Sequence, residues 1–340
     1  MGRPAVRIAI ILAGIVAVIA AGFTLWSWYR YTRPGPLADT VAVVIPKGEG
    51  VAGIAVRLRD AGVITSTFEF SVGVQIDLLA RRLRAGEYAF PAHVSMRDAA
   101  ALIASGKTVR RRLTVAEGLT TRAVLEMVSE AGGLDGPLPD PAPAEGTLLP
   151  ETYFYSYGDS RAALVQRMKR AMNETVATLW ASRAPGLAID TRAQAVILAS
   201  LIEKETARPE ERAHVSAVFQ NRLRQGIRLQ SDPTVIYALT GGQSDAKRTL
   251  TRDDLAMDSP YNTYVRTGLP PTPIANPGRA AITAALQPQR TDDLYFVADG
   301  DGGHVFARTL AEHNKNVARL RRVQRERDSA PAEADPQSSH

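Results

Sequence analysis

From Ile8 to Trp28 the chain runs 21 residues without a charge, with Arg3 and Arg7 before the run and Arg30 and Arg33 after it. That length crosses a bilayer as a helix. Phe23, Leu25, Trp26, Trp28 and Tyr29 at its end resemble an interfacial belt more than the small-residue site where a signal peptide is cut. Residues 8–28 therefore read as an uncleaved single-pass anchor, behind a cytoplasmic N-terminus at 1–7 and ahead of a Pro-containing linker at 29–39. This topology places the bulk of the chain outside the cytoplasmic (inner) membrane.

Beyond the linker the pattern shortens. Val41 to Pro46 alternates as a strand does, and Gly50 to Asp60 puts Val51, Ile54, Ala55 and Leu58 on one helical face, with Gly62 ending it. A second helix begins in Thr65 to Gln75, a short strand spans Ala85 to Phe90, and a helix capped by Ser95 and Asp98 spans Ser95 to Ser105. Another strand covers Arg110 to Val115. This mixture over 40–135 predicts a small α+β module with no catalytic constellation, and the Pro- and Gly-rich stretch from Gly136 to Gly146 predicts a boundary loop.

The remainder, 145–327, predicts a second, mixed α/β domain. A helix is expected from Arg161 to about Ala181. From Ala193 to Ile202 no helical face carries a charge, which predicts a helix buried on all sides, opened by a Thr191/Gln194 capping box. Pro209 opens the next helix, whose face is Val215, Val218, Phe219 and Leu223 and whose end is Gly226. Asp232 is expected to cap a third, with Pro233 in its first turn. Long loops follow at Asp258 to Arg266 and Gly268 to Gly278, then a helix from Pro277 to Leu286. Leu294 to Ala298 and His304 to Ala307 predict a hairpin. Thr309 and Glu312 cap a last, basic helix, and residues 328–340 have the composition of a disordered tail.

Chemistry enters at the end of the buried helix. Helical spacing sets Glu205 on the same face as Leu198, Leu201 and Ile202, whereas Glu203 points over Ala199 and Ser200. A carboxyl that continues an apolar stripe loses hydration, so its pKa rises, as suits a general acid near neutral pH. Gln230, Asp232, Tyr261, Asn262 and Tyr264 supply amides, a carboxylate and aromatic rings suited to stacking on and hydrogen-bonding a sugar chain. An ordinary glycosidase needs two carboxylates. One acid/base suffices if a hydroxyl of the substrate itself attacks, and such a reaction needs no metal or cofactor.

Composition narrows the alternatives. With 340 residues, 45% apolar and 22% charged, the chain is ordinary globular material with room for two or three domains. A net charge of +6, with the Arg pairs 81/82 and 321/322 not interleaved with aromatics, gives no support for nucleic-acid binding. The absence of cysteine excludes disulfides, thiol nucleophiles and thiolate metal sites. His214, His304 and His313 with Glu203, Glu205 and Asp232 offer metal-ligand types without paired-His spacing. The turn DGDGG lacks the register of a calcium loop, and no G-x-S-x-G or phosphate loop is present.

Five ordered blocks carry a resemblance: EGTLLPETYFY at 145–155, ASLIEKET at 199–206, RLQSDPTVIYAL at 228–239, SPYNTYVRTGLPPTPIANPG at 259–278 and YFVADGDGGHVFARTLAEHN at 295–314. Together they are similar to the membrane-anchored endolytic murein transglycosylases, the YceG-like or MltG family. The departure is Thr272, where the family's proline-rich loop has a glycine. The resemblance implies a LysM-like module at 40–135, a catalytic Glu205, and peptidoglycan glycan as substrate. It implies cleavage between N-acetylmuramic acid and N-acetylglucosamine to leave 1,6-anhydro ends, with penicillin-binding synthases as partners. Glu203, and Glu151 of the first block, complete a candidate substrate-binding set with Gln230, Asp232, Tyr261, Asn262 and Tyr264. A glycan-binding scaffold without catalysis, a hydrolase on the same Glu205 and a zinc amidase or peptidase are the competing readings.

Overall fold

The structure is a computed structural model that describes residues 3–243 and 249–329. Most of the tail at 328–340, and the first two residues of the N-terminal segment, lie outside them. The chain divides into two compact units. The first takes in the chain up to Arg112 with Ala131–Gly136 and Phe154–Ser160. The second takes in Leu113–Glu130, Pro137–Tyr153 and the chain from Arg161.

In the first unit, helix α1 (Arg3–Thr32) contains an apolar stretch at Ile10–Thr32 long enough to cross a membrane. Strand β1 (Val41–Ile45), helices α2 (Val51–Asp60) and α3 (Thr67–Ile76), strand β2 (Gly86–Phe90) and helix α4 (Met96–Ser105) follow. The strands pair antiparallel from Val41↔Phe90 to Ile45↔Gly86. Their inward residues, Ile45, Tyr88 and Phe90, meet Ile54, Leu58, Phe70 and Ile103 in one core, all of them 2% exposed or less. Ser66 and Ser95 cap α3 and α4, each accepting the backbone N–H three residues on.

Strands β3 (Arg111–Thr114) and β4 (Thr152–Tyr155) pair with each other, and the division into units falls within both.

The second unit is mainly helical: α5 (Thr121–Glu130), α6 (Arg161–Ala181), α7 (Arg192–Glu205), α8 (Arg212–Arg224), α9 (Asp232–Thr240), the short α10 (Arg252–Ala256), α11 (Arg279–Leu286) and α12 (Leu310–Ser329). The hairpin β5 (Tyr295–Ala298) and β6 (His304–Ala307) precedes α12. Helix α7 is the centre of this unit, touched by α6, α8, α9 and α11. Its Ala195, Leu198, Ala199, Leu201 and Ile202 are fully buried, and the alanines of α11, Ala281 and Ala285, let that helix come close. The Thr191/Gln194 capping box is formed. The start of the next helix is a 3₁₀ turn, Pro209–Glu211, before α8 begins. Two elements had no clear signal in the sequence pattern, α5 and α10. The α10 cap is a Thr251/Asp254 box.

Candidate active site

Glu205 is the last residue of α7, where the chain turns into the extended backbone of Thr206. The helix ends there because the next N–H to be satisfied, that of Thr206, still reaches the Ile202 carbonyl while Thr206 itself has left helical geometry. Glu205 keeps some solvent exposure as a residue, but its carboxyl is enclosed among α7, α9 and the loop before it. Loss of hydration pushes its pKa up to about 7, and the neighbouring Asp232 carboxylate adds to the rise. A hydrogen bond from Ser231 and the positive charge of Arg222 act the other way.

Ser231 donates through Oγ to Glu205 Oε2 at 2.9 Å. The serine is itself buried, its N–H donating to Thr263 Oγ1 at 3.0 Å, and Thr263 and Thr234 share a hydroxyl–hydroxyl bond of 2.9 Å. Ser231 occupies the position before α9 where Asp232 was expected to cap. The reason is visible in the geometry: Asp232 is the first residue of the helix, and its carboxylate accepts from the Tyr264 hydroxyl. Burial and that bond push the Tyr264 hydroxyl pKa up.

Arg222 braces the turn that precedes Ser231. Its side chain donates to the Leu229 carbonyl at 2.9 Å, the Arg228 carbonyl at 3.1 Å and Gln230 Oε1 at 3.3 Å, and to the Leu294 carbonyl at 2.6 Å. Its guanidinium lies 5.1 Å from the centre of the Tyr295 ring. Gln230 adopts a left-handed φ of +53°, which turns the chain into the Ser231 position. An arginine at position 222 continues the apolar α8 face of Val215, Val218 and Phe219. That misfit is a legible signal for a functional brace, as is a Ser directly before Asp-Pro, and neither was among the expected residues.

The other expected residues are placed in three ways. Glu203 is 5% exposed at its side chain, and its carboxylate accepts from the Gly278 N–H at 2.8 Å and from Arg212 at 3.2 Å, holding the start of α11. Asn262 is fully buried, its amide donating to the carbonyls of Leu255 and Met257 and its carbonyl accepting from Tyr264 N–H, so it shapes its own loop. Tyr261 packs on Tyr237 with ring centres 5.0 Å apart and its hydroxyl pairs with Thr272 Oγ1 at 2.8 Å, giving the threonine of the proline-rich loop a partner. Glu151 is exposed beside Tyr153 and does not enter the Glu205 network.

Among the described residues no group of three or more Asp, Glu and His side chains is arranged to hold a metal ion. His214 pairs with Asp293 at 2.7 Å and stacks on Phe306, and His304 pairs with Glu211 at 2.7 Å. His313 lies against Tyr295.

Known proteins share this arrangement of sequence. The chain is 34% identical over 313 residues to an endolytic murein transglycosylase of Bacillus subtilis, covering 81% of this chain and 83% of that one. It is 28% identical over 324 residues to endolytic murein transglycosylases of two Streptococcus pneumoniae strains, covering 82% of this chain and 58% of theirs. The crystal structure of a YceG-like protein from Listeria monocytogenes superposes with a TM-score of 0.50 at 29% identity, covering 82% of this chain and 99% of that one. The model of the YceG-like family matches residues 43–319, so the segment that contains Glu205, Ser231 and Arg222 lies inside a chain that belongs to the YceG-like family.

Proposed function

We propose that the protein is an endolytic peptidoglycan transglycosylase and that Glu205 is its one acid/base. The observation that carries the reading is the enclosed carboxyl of Glu205 at the end of a buried helix, held by the Ser231 hydroxyl at 2.9 Å, with burial raising its pKa to about 7. In the first step Glu205 donates its proton to the oxygen linking N-acetylmuramic acid to N-acetylglucosamine, and the bond from that oxygen to the muramoyl C1 breaks. In the second the ionised Glu205 takes the proton from the muramoyl C6 hydroxyl, whose oxygen bonds to C1 and closes the 1,6-anhydro ring. The carboxyl is thereby returned to its protonated form, and no water is consumed. Ser231 steadies the ionised form between the two steps, and a positioned acid/base of this kind is worth roughly 10²- to 10⁴-fold in rate.

In this reading α1 is a single-pass anchor that sets the catalytic domain on the outer face of the cytoplasmic membrane. Residues 40–135 are a LysM-like module that holds the same glycan, and the glycan synthases that make the strand are partners of the protein.

The test is mass spectrometry of purified peptidoglycan incubated with the protein and with its Glu205→Gln variant, both in excess EDTA. Anhydro-ended internal fragments from the wild type alone are expected. Reducing ends would mean a hydrolase at the same carboxyl, and bound but uncut glycan would mean a scaffold.

A further inference from the structure

The first unit carries an apolar stripe that its own fold leaves uncovered. Phe68, Val72 and Ile76 recur at four-residue spacing on α3 and so share one face. Phe68 is 62% exposed and Ile76 58% exposed, and Leu78, just past the helix, is 81% exposed with φ of +56°. Side chains of this size gain by leaving water, so a stripe of them left exposed calls for a partner.

The flank of α3 directly beside this stripe shows which partner. There Gly73 lies against the ring of Tyr31, and a Cβ at position 73 would overlap it. Arg30 pairs with Glu69 at 3.1 Å, and the Tyr31 hydroxyl donates to Asp77 at 3.3 Å. Helix α3 is thus fastened to the last turns of α1, next to the aromatic end of the apolar stretch. Phe68 and Ile76 line one apolar cleft of about 150 Å³ together with Phe23 and Trp28 of α1. Because α1 continues without interruption from the apolar stretch to Tyr31, the stripe stands at a fixed height beside the aromatic belt. Arg81, Arg82 and Arg84 follow within a few residues, are exposed, and form no ion pair among the described residues. Apolar side chains followed along the chain by exposed basic residues, beside the end of a span, match the interfacial layer of a bilayer with anionic headgroups.

We propose that α3 is a second membrane contact. Its Phe68, Val72 and Ile76 face, with Leu78, enters the interfacial layer of the bilayer that α1 crosses, and Arg81, Arg82 and Arg84 meet lipid phosphates. The first unit then lies on the membrane surface in one orientation instead of swinging on a tether. This inference rests on α1 crossing the bilayer.

The chain has no cysteine, so single labels can be placed in the full-length protein. Phe68→Cys, Ile76→Cys and Leu78→Cys, each carrying an environment-sensitive fluorophore, are reconstituted in phosphatidylglycerol/phosphatidylethanolamine vesicles with and without bromine on the acyl chains. Val56→Cys, exposed on α2, and Val18→Cys, in the span, are the references. Labels at 68, 76 and 78 are expected to be quenched by brominated lipid several-fold more than the label at 56. Equal quenching at 68, 76, 78 and 56, with strong quenching at 18, overturns the contact and leaves the anchor standing. No quenching at 18 removes the anchor and the contact together. A blue shift at 68 and 76 that grows with protein density, without lipid quenching, assigns the stripe to a second copy and also overturns it.

Discussion

The Ser231 hydroxyl and the Glu205 carboxylate are joined by a 2.9 Å hydrogen bond that ties the position before α9 to the last residue of α7. The two opposing influences on that carboxyl come from different places. Burial at the helix end favours the neutral acid, while Ser231 and Arg222 favour the anion. Their balance near neutrality is what an acid that must also serve as a base requires.

Ser231→Ala removes the bond that favours the anion while leaving the burial. The Glu205 pKa should rise further, so the alkaline limb of the rate profile should move to higher pH as the maximal rate falls. A pH–rate profile of glycan cleavage checks this. A limb that stays in place while the rate falls would mean that Ser231 only orients the loop.

The pH dependence of the wild type follows from the same carboxyl. If cleavage requires the protonated form, kcat/KM should decline above about pH 7, approaching about tenfold per pH unit. Stability should carry the same signature with a definite sign. The ordinary carboxyl value is 4.5 and the folded value is about 7, so between them the folded state holds the proton more tightly than the unfolded chain, and stability falls as pH rises through that window. Glu205→Gln mimics the neutral acid, so urea midpoints should show it gaining on the wild type at pH 8 relative to pH 5. An equal difference at both pH values would contradict the raised pKa.

Glu203 and Glu205 are two residues apart and should respond oppositely. Glu205→Gln should lower cleavage roughly 10²- to 10⁴-fold with the fold retained. In Glu203→Gln one of the two accepting oxygens becomes an amide donor facing Arg212 or the Gly278 N–H, so it should cost about 1–3 kcal/mol of stability, although burial already raises the Glu203 pKa, while the folded fraction keeps more activity than Glu205→Gln. Thermal melts beside the cleavage assay separate the two. The reverse order of activity would put the acid at position 203.

Much of this was legible in the sequence, and the limits have physical causes. The charge-free run 193–202 and the Thr191/Gln194 box gave α7, and the helical phase of Glu205 against Leu198, Leu201 and Ile202 gave its enclosed carboxyl. Periodicity reports which face a residue occupies but not what crosses from another segment. Hence Ser231 and Arg222 escaped notice, since their partners come from Glu205 and from Leu294, 26 and 72 residues away. For the same reason Glu203 and Asn262 were candidates for binding, although their polar atoms are engaged by backbone within the fold. Helix α5 lies in the 40–135 stretch by sequence and packs with the second unit, a distinction that only long-range contacts make.

Asn276, in the block PTPIANPG, tests how firmly the loop before α11 is held. It is fully buried, and its side-chain carbonyl accepts from the Leu148 N–H at 2.9 Å while its amide donates to the Leu119 carbonyl at 3.0 Å and reaches Glu145 Oε1 at 3.4 Å. Glu145 is itself a carboxyl whose pKa burial pushes up, although Thr121 N–H donates to it. Asn276→Ala leaves the Leu148 N–H unpaired in the interior, while the Leu119 carbonyl keeps the backbone N–H of residue 276 at 2.9 Å, and it should cost about 1–3 kcal/mol. Asn276→Asp should behave differently with pH. Once ionised, the new carboxylate still accepts from Leu148 but faces the Leu119 carbonyl and Glu145 with no proton to donate. Its folded pKa should therefore lie above the ordinary value, so its stability should be best at low pH and fall as pH rises through that pKa. Chemical denaturation of both variants at pH 5 and pH 8 checks the pair. A pH-independent loss for Asn276→Asp, equal to that of Asn276→Ala, would show that the Glu145 contact contributes nothing to holding the loop.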